Sequence, residues 1–495
     1  MPLLPSLMFV LLACAILACG ARSERSATWA GGSGGTGAIG AGGDGGTGAV
    51  GDGGDGGGGD AAIWSRRFGD EHCQHQVRLA VDGSDDVLMG GAFMGSIDLG
   101  GGPLDSDVEA EGAHDIYIAK LSPSGDHVWS RRLGGEGDKG LSTIVADDTG
   151  NIFLTGWFLG NLEFPTGTLI GAGGRDIFLA KLDESGNVLW AKGFGDADSL
   201  VGSVLAVSPG GGAVLAGAFR GSLDFGGGVL QSTPGSGYSE DDGFVAKLDA
   251  NGQHVWSFRF GEEQHQAVYD VALDPSGEVL VAGYFEGNVD LGGGVLTSAG
   301  ESDGFVGKLD ANGQHVWSKS FGGLDYTAPY FIRSDSLGNV FVVGEFHGTF
   351  DIGGGPLSNV GKSDIFVAKL DASGNHIWSK RFGDADTLCI PWAFAVDAED
   401  NLLVTGPFEG DLEFGGATLS SAGQWDAYVV KLDAAGEHHW SLRIGDADAQ
   451  DGHAVVADSA GFPLVGGTFR GTIDLGGPPL VCVGCWDVYV AKLWP

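Results

Sequence analysis

Residues Phe244–Ser257 read FVAKLDANGQHVWS, and Phe305–Ser318 read FVGKLDANGQHVWS. The two stretches lie 61 positions apart and differ at one residue. Working outward from them, a Trp follows a turn at Trp129, Trp190, Trp256, Trp317, Trp378 and Trp440, with a further copy at Trp64. The intervals are 65, 61, 66, 61, 61 and 62 residues. A Lys-Leu pair occurs seven times, from Lys120 to Lys492, and Gly-x-Phe-x-Gly occurs seven times, with Phe from Phe93 to Phe469. Three markers in fixed order define a seven-fold array from about residue 62 to 495.

Each unit reads as strand. GNVFVVGEF (Gly338–Phe346), DIFVAKLD (Asp364–Asp371) and NHIWSKRFG (Asn375–Gly383) are β-branched and aromatic runs separated by turn residues such as DASGN. A fourth run ends in AVD, as at Phe394–Asp397. Helical periodicity is absent. Four short strands per unit, apolar on both faces, predict an all-β, seven-bladed propeller of four-stranded antiparallel blades. We name the strands A (before AVD), B (to Gly-x-Phe), C (Lys-Leu) and D (Trp). The array begins with a D strand, AIWSRRFG (Ala62–Gly69), and ends with a C strand, DVYVAKL (Asp487–Leu493). These two are expected to pair and close the ring as an N-/C-terminal latch.

The chain resembles the SBBP family, the bacterial propeller repeats named for seven blades. The likeness covers about residue 62 to 495 and rests on D-x-F-V-A-K-L-D-x-x-G-N-x-x-W and G-x-F-x-G-x-x-D-F-G-G. It implies the propeller fold and carries little about function.

Ahead of the array, residues 1–19 form an uncharged, apolar leader that fits a signal peptide, although a basic n-region is missing. ILAC (Ile16–Cys19) resembles a lipobox, with Cys19 as the lipidated residue. LLAC (Leu11–Cys14) fits the pattern as well, but leaves a shorter apolar run before it. Residues 20–61 are mostly glycine and read as a disordered tether, with a reach on the order of 35 Å. The expectation is an exported lipoprotein of the outer membrane or cell surface, or one facing the periplasm, that touches the membrane only through its lipid anchor.

With 26 basic against 65 acidic residues the formal net charge is −39, which disfavours nucleic acid and anionic lipid as partners. Scaffold positions repeat, whereas the D–A connections vary: GDEHCQHQV, GEGDKGL, GEEQHQAVY, GGLDYTAPY, GDADTLCIPW and GDADAQDGH. D–A and B–C connections share one face, which is the expected ligand face. Candidate binding residues there are His72, His75, Lys139, His265, Tyr326, Tyr330, Trp392 and His453. Arg220, Glu286, His347 and Arg470 follow the B-strand Phe and should sit near the same rim.

Acids recur after each B strand (Asp98 to Asp474) and at the start of each C strand (Asp115 to Asp487). Seven identical residues serve the blades, by capping turns or by pairing with lysines between blades. Calcium held by B–C loops is the functional alternative, and no other cofactor or metal is expected. The carboxylate spacing in DADAQDG (Asp446–Gly452) misses an EF-hand loop by one residue and lacks the closing Glu. CVGC (Cys482–Cys485) predicts a local disulfide, with Cys73 and Cys389 left without an evident partner. HCQH (His72–His75) offers tightly spaced zinc donors without a fourth ligand. No HExxH or phosphate loop occurs. The reading is therefore a non-catalytic, monomeric module that binds protein or glycan. The alternatives are a polysaccharide hydrolase or lyase, or a structural envelope component.

Overall fold

The computed structural model describes residues 61–106, 112–196, 200–233, 241–262, 264–300, 302–385 and 387–495. The leader, Cys19 and all but the last residue of the tether lie outside the described residues. Every regular element described is a β-strand. In blade 1 the strands are A Gln74–Val81, B Val87–Phe93, C Asp115–Leu121 and D His127–Leu133, hydrogen-bonded in that order. Six further blades follow at 139–194, 200–260, 266–321, 327–382, 388–444 and 450–493.

The ring closes as the terminal strands required. Ala62–Phe68 is the D strand of blade 7 and runs antiparallel to Asp487–Leu493, with Trp64 opposite Lys492 and Phe68 opposite Val488. Arg67 and Asp487 form an ion pair across this latch. All side chains of the B strands Val87–Phe93 and Val340–Phe346 are buried, because both faces of a blade pack on neighbours. The core lies between blades: Leu88 and Ile118 of blade 1 join Ile144, Leu154 and Phe178 of blade 2 in one cluster.

The repeated Trp is a blade-to-blade clamp. Trp64, Trp129, Trp190, Trp256, Trp317 and Trp378 each donate from Nε1 to a carbonyl in the C–D turn of the next blade, at 3.0–3.2 Å. Blade 7 has no C–D turn, since its D strand is the first strand of the array. Trp440, which faces that seam, has a buried Nε1 without an acceptor.

The repeated acids are structural. Asp98 Oδ1 accepts from the Gly100 and Gly102 amides at 2.8 and 3.1 Å, closing a small hairpin in the B–C connection. Asp224, Asp290 and Asp351 do the same. These hairpins fold back over their own D strand. A Cβ on Gly354 would fall 2.1 Å from Cε1 of His376, so only glycine permits this approach. The buried C-strand acids pair mainly with arginines of their own D strand, as in Arg132–Asp115 (2.8 Å) and Arg443–Asp426 (2.7 Å), rather than with lysines of other blades. The repeated Lys turns instead to the A–B turn of its own blade, as in Lys369–Asp335 at 2.9 Å. Lysine pairs between blades do occur, Lys139 with the C-strand acid Asp115 at 3.4 Å and Lys380 with Glu437 of the next C–D turn at 2.9 Å.

The expected Cys482–Cys485 disulfide is not formed. Cys485 is bonded to Cys73, with Cα atoms 5.2 Å apart, and Cys482 and Cys389 are free thiols. Ring closure explains the correction. It sets the first D–A loop beside the last B–C loop, where the Gln74 amide donates to the Trp486 carbonyl at 3.0 Å. The partner of Cys485 is therefore across the seam and not three residues away.

Candidate functional site

The seven A strands line a central channel, and each is broken near its D–A end by one irregularity in its pairing with strand B. Strand twist and a bulge together re-aim one side chain without disturbing the strands behind it. In blades 4, 5 and 7 the bulged residues are Tyr269, Tyr330 and His453, and in blade 6 the break falls at Trp392. These four consecutive blades therefore turn four aromatic rings toward the channel, whose cavity is about 570 Å³. Blade 2 places Ser142 at the equivalent point. The mouth is aromatic along one arc, with the Ser142 hydroxyl on another wall.

The arc is backed by further rings. Tyr284 stacks on Tyr269 at 5.0 Å between centroids, His265 packs on Tyr284 at 5.0 Å, and Tyr330 is tilted against Tyr269 at 5.4 Å. Trp392 meets His453 edge-on at 5.0 Å. Tyr326 and Tyr330 share a hydroxyl–hydroxyl hydrogen bond of 3.0 Å, and Tyr330 donates to Glu345 Oε2 at 3.1 Å. Glu345 is buried and also accepts from Ser363. His347 lies 3.4 Å from the same carboxylate. Burial pushes the hydroxyls of Tyr284 and Tyr330 well above the ordinary phenol value, so both stay neutral donors. On the other side of the mouth His75 packs edge-on against His114 at 5.1 Å. Burial, then the neighbouring His114 and His453, pull the His75 imidazole down to about 4.

Below the mouth the walls become aliphatic, through Ile144, Leu205, Val396 and Val456. Two arginines interrupt them. Arg333 is ion-paired with buried Asp270, and Arg78 donates from Nε to the Ser142 carbonyl at 2.8 Å. Both bonds tie adjacent blades together.

The residues singled out from the sequence are dispersed around this rim. His75, Tyr326, Tyr330, Trp392 and His453 belong to the mouth or its backing, and His265 and His347 to the layer behind. His72 is exposed on the first D–A loop, 3.1 Å from Asp70, and with Cys73 in a disulfide the HCQH donors do not converge. Arg220 is paired with Asp241 at 3.0 Å. Arg470 donates to the Cys485 carbonyl at 2.8 Å and lies 4.7 Å over the Trp486 ring, which makes it part of the seam. Lys139 is fully buried, donating to the Gly135 and Gly137 carbonyls at 2.6 and 2.7 Å, and faces no solvent. The Glu286 amide donates to the His265 carbonyl at 2.9 Å.

Asp446 caps its loop, accepting from the Asp448 and Thr472 amides at 2.9 and 2.8 Å. Among the described residues no three His, Cys, Asp or Glu side chains converge as a metal-ligand group. Tyr269, Tyr284, Glu345, His114 and Arg78 escaped the sequence reading. A signal for two of them existed: the x of Gly-x-Phe reads Ala92, Trp157, Ala218, Tyr284, Glu345, Pro407 and Thr468, a variable position inside a repeated motif.

No family model matches the chain, so the SBBP likeness rests on the repeat motifs alone. A WD repeat-containing protein of Acanthamoeba polyphaga mimivirus, itself uncharacterised, is 22% identical over 74% of this chain and 32% of its own length. The regulatory protein FlaEY of Caulobacter vibrioides is 30% identical over 29% of this chain and 15% of its own. The chain thus spans a third or less of each of these curated relatives. Among solved structures, Sqt1 of Chaetomium thermophilum matches with a TM-score of 0.42 at 11% identity, covering 88% of this chain and 99% of that one. The WD40 propeller domain of Doa1 matches with a TM-score of 0.42 at 10% identity over 86% and 94% of the two chains. A puromycin hydrolase reaches a TM-score of 0.36 at 12% identity over 81% and 59%.

Proposed function

We propose that the chain is a non-catalytic recognition module that holds a macromolecular ligand, protein or glycan, on its D–A/B–C face. One observation carries the reading. Clamp, turn and ion-pair positions recur from blade to blade, while the residues at the channel-side bulges differ and place Tyr269, Tyr330, Trp392 and His453 side by side. A scaffold that varies at one rim only is built to present that rim. The name of the mimivirus relative, a WD repeat-containing protein, is in keeping with an interaction role. The acidic surface, at a net charge of −39, favours neutral or cationic ligands.

The same proposal places the module outside the cytoplasm as an SBBP-like lipoprotein, anchored at Cys19 and displayed on the glycine tether of residues 20–61. Two experiments test it. Capture of partners from envelope extracts by the full chain should be abolished when the D–A loops of blades 4 to 7 are exchanged for those of blades 2 and 3, and retained when A–B turns are exchanged instead. The Cys19→Ala chain should leave the membrane fraction. Capture that survives the D–A exchange contradicts the face assignment, and an unchanged membrane fraction contradicts the anchor.

A further inference from the structure

The chemistry of the aromatic arc narrows the ligand. We infer that the D–A mouth of the channel binds the end of a neutral or amino-sugar glycan. This rests on the reading of that face as the recognition face. Phe331 and Phe394 also line the channel, and the four rings at its bulges, Tyr269, Tyr330, Trp392 and His453, are each a flat apolar body with a polar tip. A pyranose presents the complement, with a C–H face that packs on an aromatic ring and equatorial hydroxyls that reach the ring's polar edge.

Tyr269 is held by Tyr284 on one side and lines the channel, and both Tyr269 and Trp392 are half-buried, so each offers surface to a ligand. Tyr330, between them in blade order, has its hydroxyl fixed by Tyr326 and Glu345. That network pre-sets the donor and acceptor pattern at the centre of the arc. Ser142 supplies a hydroxyl on another wall. An acyl chain would gain nothing from the polar edge of Trp392 or the Ser142 hydroxyl, to which a sugar hydroxyl can bond.

Geometry sets the binding mode. The channel is walled by seven blades, so a polymer enters by its end and does not lie across it. A cavity of about 570 Å³ suits roughly two or three hexose units. Below the mouth the walls are mainly aliphatic, at Ile144, Leu205 and Val456, and Arg78 and Arg333 there are engaged with neighbouring blades, so polar recognition is concentrated at the mouth. A net charge of −39 opposes uronic or sulfated chains.

The test is titration of the full chain by calorimetry and tryptophan fluorescence with cellotriose, maltotriose, laminaritriose, chitotriose and the deacetylated amino form of chitotriose. Trigalacturonate serves as the anionic control. At least one neutral or amino trisaccharide should bind and trigalacturonate should not. Tyr269→Ala and Trp392→Ala should each weaken that binding about tenfold or more, with Tyr269→Phe close to wild type and with thermal melts showing each variant folded. Trp129→Phe, at a blade clamp away from the channel, should bind as wild type.

Failure of every neutral and amino trisaccharide at millimolar concentration overturns the saccharide assignment. So does binding that is indifferent to both alanine variants, or preference for the anionic probe. If partner capture still depends on the D–A loops while no trisaccharide binds, the recognition face stands and its ligand is a protein. If a trisaccharide binds but is insensitive to the mouth and to the D–A loops, both readings fall.

Discussion

Cys73 and Cys485 lie 412 positions apart in sequence and are joined by a disulfide, with Cα atoms 5.2 Å apart. The bond fastens the first D–A loop to the last B–C loop, on the same seam that the Arg67–Asp487 ion pair and the terminal strand pairing close. Strand pairing of C with D recurs in every blade and the ion pair in several, but the other blades also have a continuous C–D turn; at the seam the disulfide is the covalent link.

Removing the covalent device should destabilise the fold without opening it, because the strand pairing remains. Cys485→Ser is expected to lower stability by about 2–4 kcal/mol, and reductant should lower wild type by the same amount while leaving the variant unaffected. Denaturant midpoints measured with and without reductant check this. In the folded oxidised protein Cys482 should react with an alkylating reagent, while the buried Cys389 should react only after denaturation.

The tryptophan clamps make a second, internally controlled prediction. Trp317 Nε1 donates to the Ala372 carbonyl at 3.0 Å, whereas the buried Nε1 of Trp440 has no acceptor. Trp317→Phe loses a hydrogen bond to a solvent-exposed turn carbonyl; Trp440→Phe removes a donor already unsatisfied. The first should cost about 1 kcal/mol more than the second in urea unfolding. Equal costs would mean that the turn carbonyl contributes nothing.

Fold and site differ in how far they can be read from residues. The blades are legible because the Trp, Lys-Leu and Gly-x-Phe markers recur, and the latch because Ala62–Phe68 and Asp487–Leu493 are each half of a hairpin. Proximity along the chain favours Cys482 as the partner of Cys485, whereas ring closure sets Cys73 beside it. The aromatic arc was only half visible. Tyr326, Tyr330, Trp392 and His453 stand out in loops of irregular length, but a bulge is a single extra residue, and in a variable connection nothing marks which one it is. Tyr269 ends the variable stretch GEEQHQAVY with nothing to single it out, and Lys139, a candidate binding residue by its place in a D–A connection, is buried against Gly135 and Gly137.

A third prediction concerns the C-strand acids. Five of them meet an arginine of their own D strand: Asp487, Asp115, Asp242, Asp364 and Asp426. In blade 4 the corresponding D-strand residue is Ser320, and burial raises the Asp303 carboxyl above its ordinary value. A raised carboxyl is a cost at neutral pH that disappears as the group protonates in acid. Ser320→Arg should therefore stabilise by about 1–2 kcal/mol at pH 7, with the gain shrinking on acidification. Thermal melts across pH read both features.

The histidines at the mouth set a fourth. His75 titrates near 4 in the fold, first through burial and then through His114 and His453, against an ordinary value of 6.5. The folded state thus binds fewer protons than the unfolded chain between these values. The stability associated with neutral His75 is complete above about 6.5 and is lost as pH falls toward 4. His75→Gln should flatten the decline of melting temperature across that window. A profile identical to wild type would show that His75 is not its source.

The central claim is that recognition occurs on the D–A/B–C rim around the channel mouth. Hydrogen–deuterium exchange of the full chain, with and without a captured ligand, tests it most directly. The account predicts slowed exchange in the bulged A-strand segments around Tyr269, Tyr330, Trp392 and His453, with the A–B and C–D turns of the opposite face unchanged. Protection confined to those turns, or to the outer D strands, would contradict it.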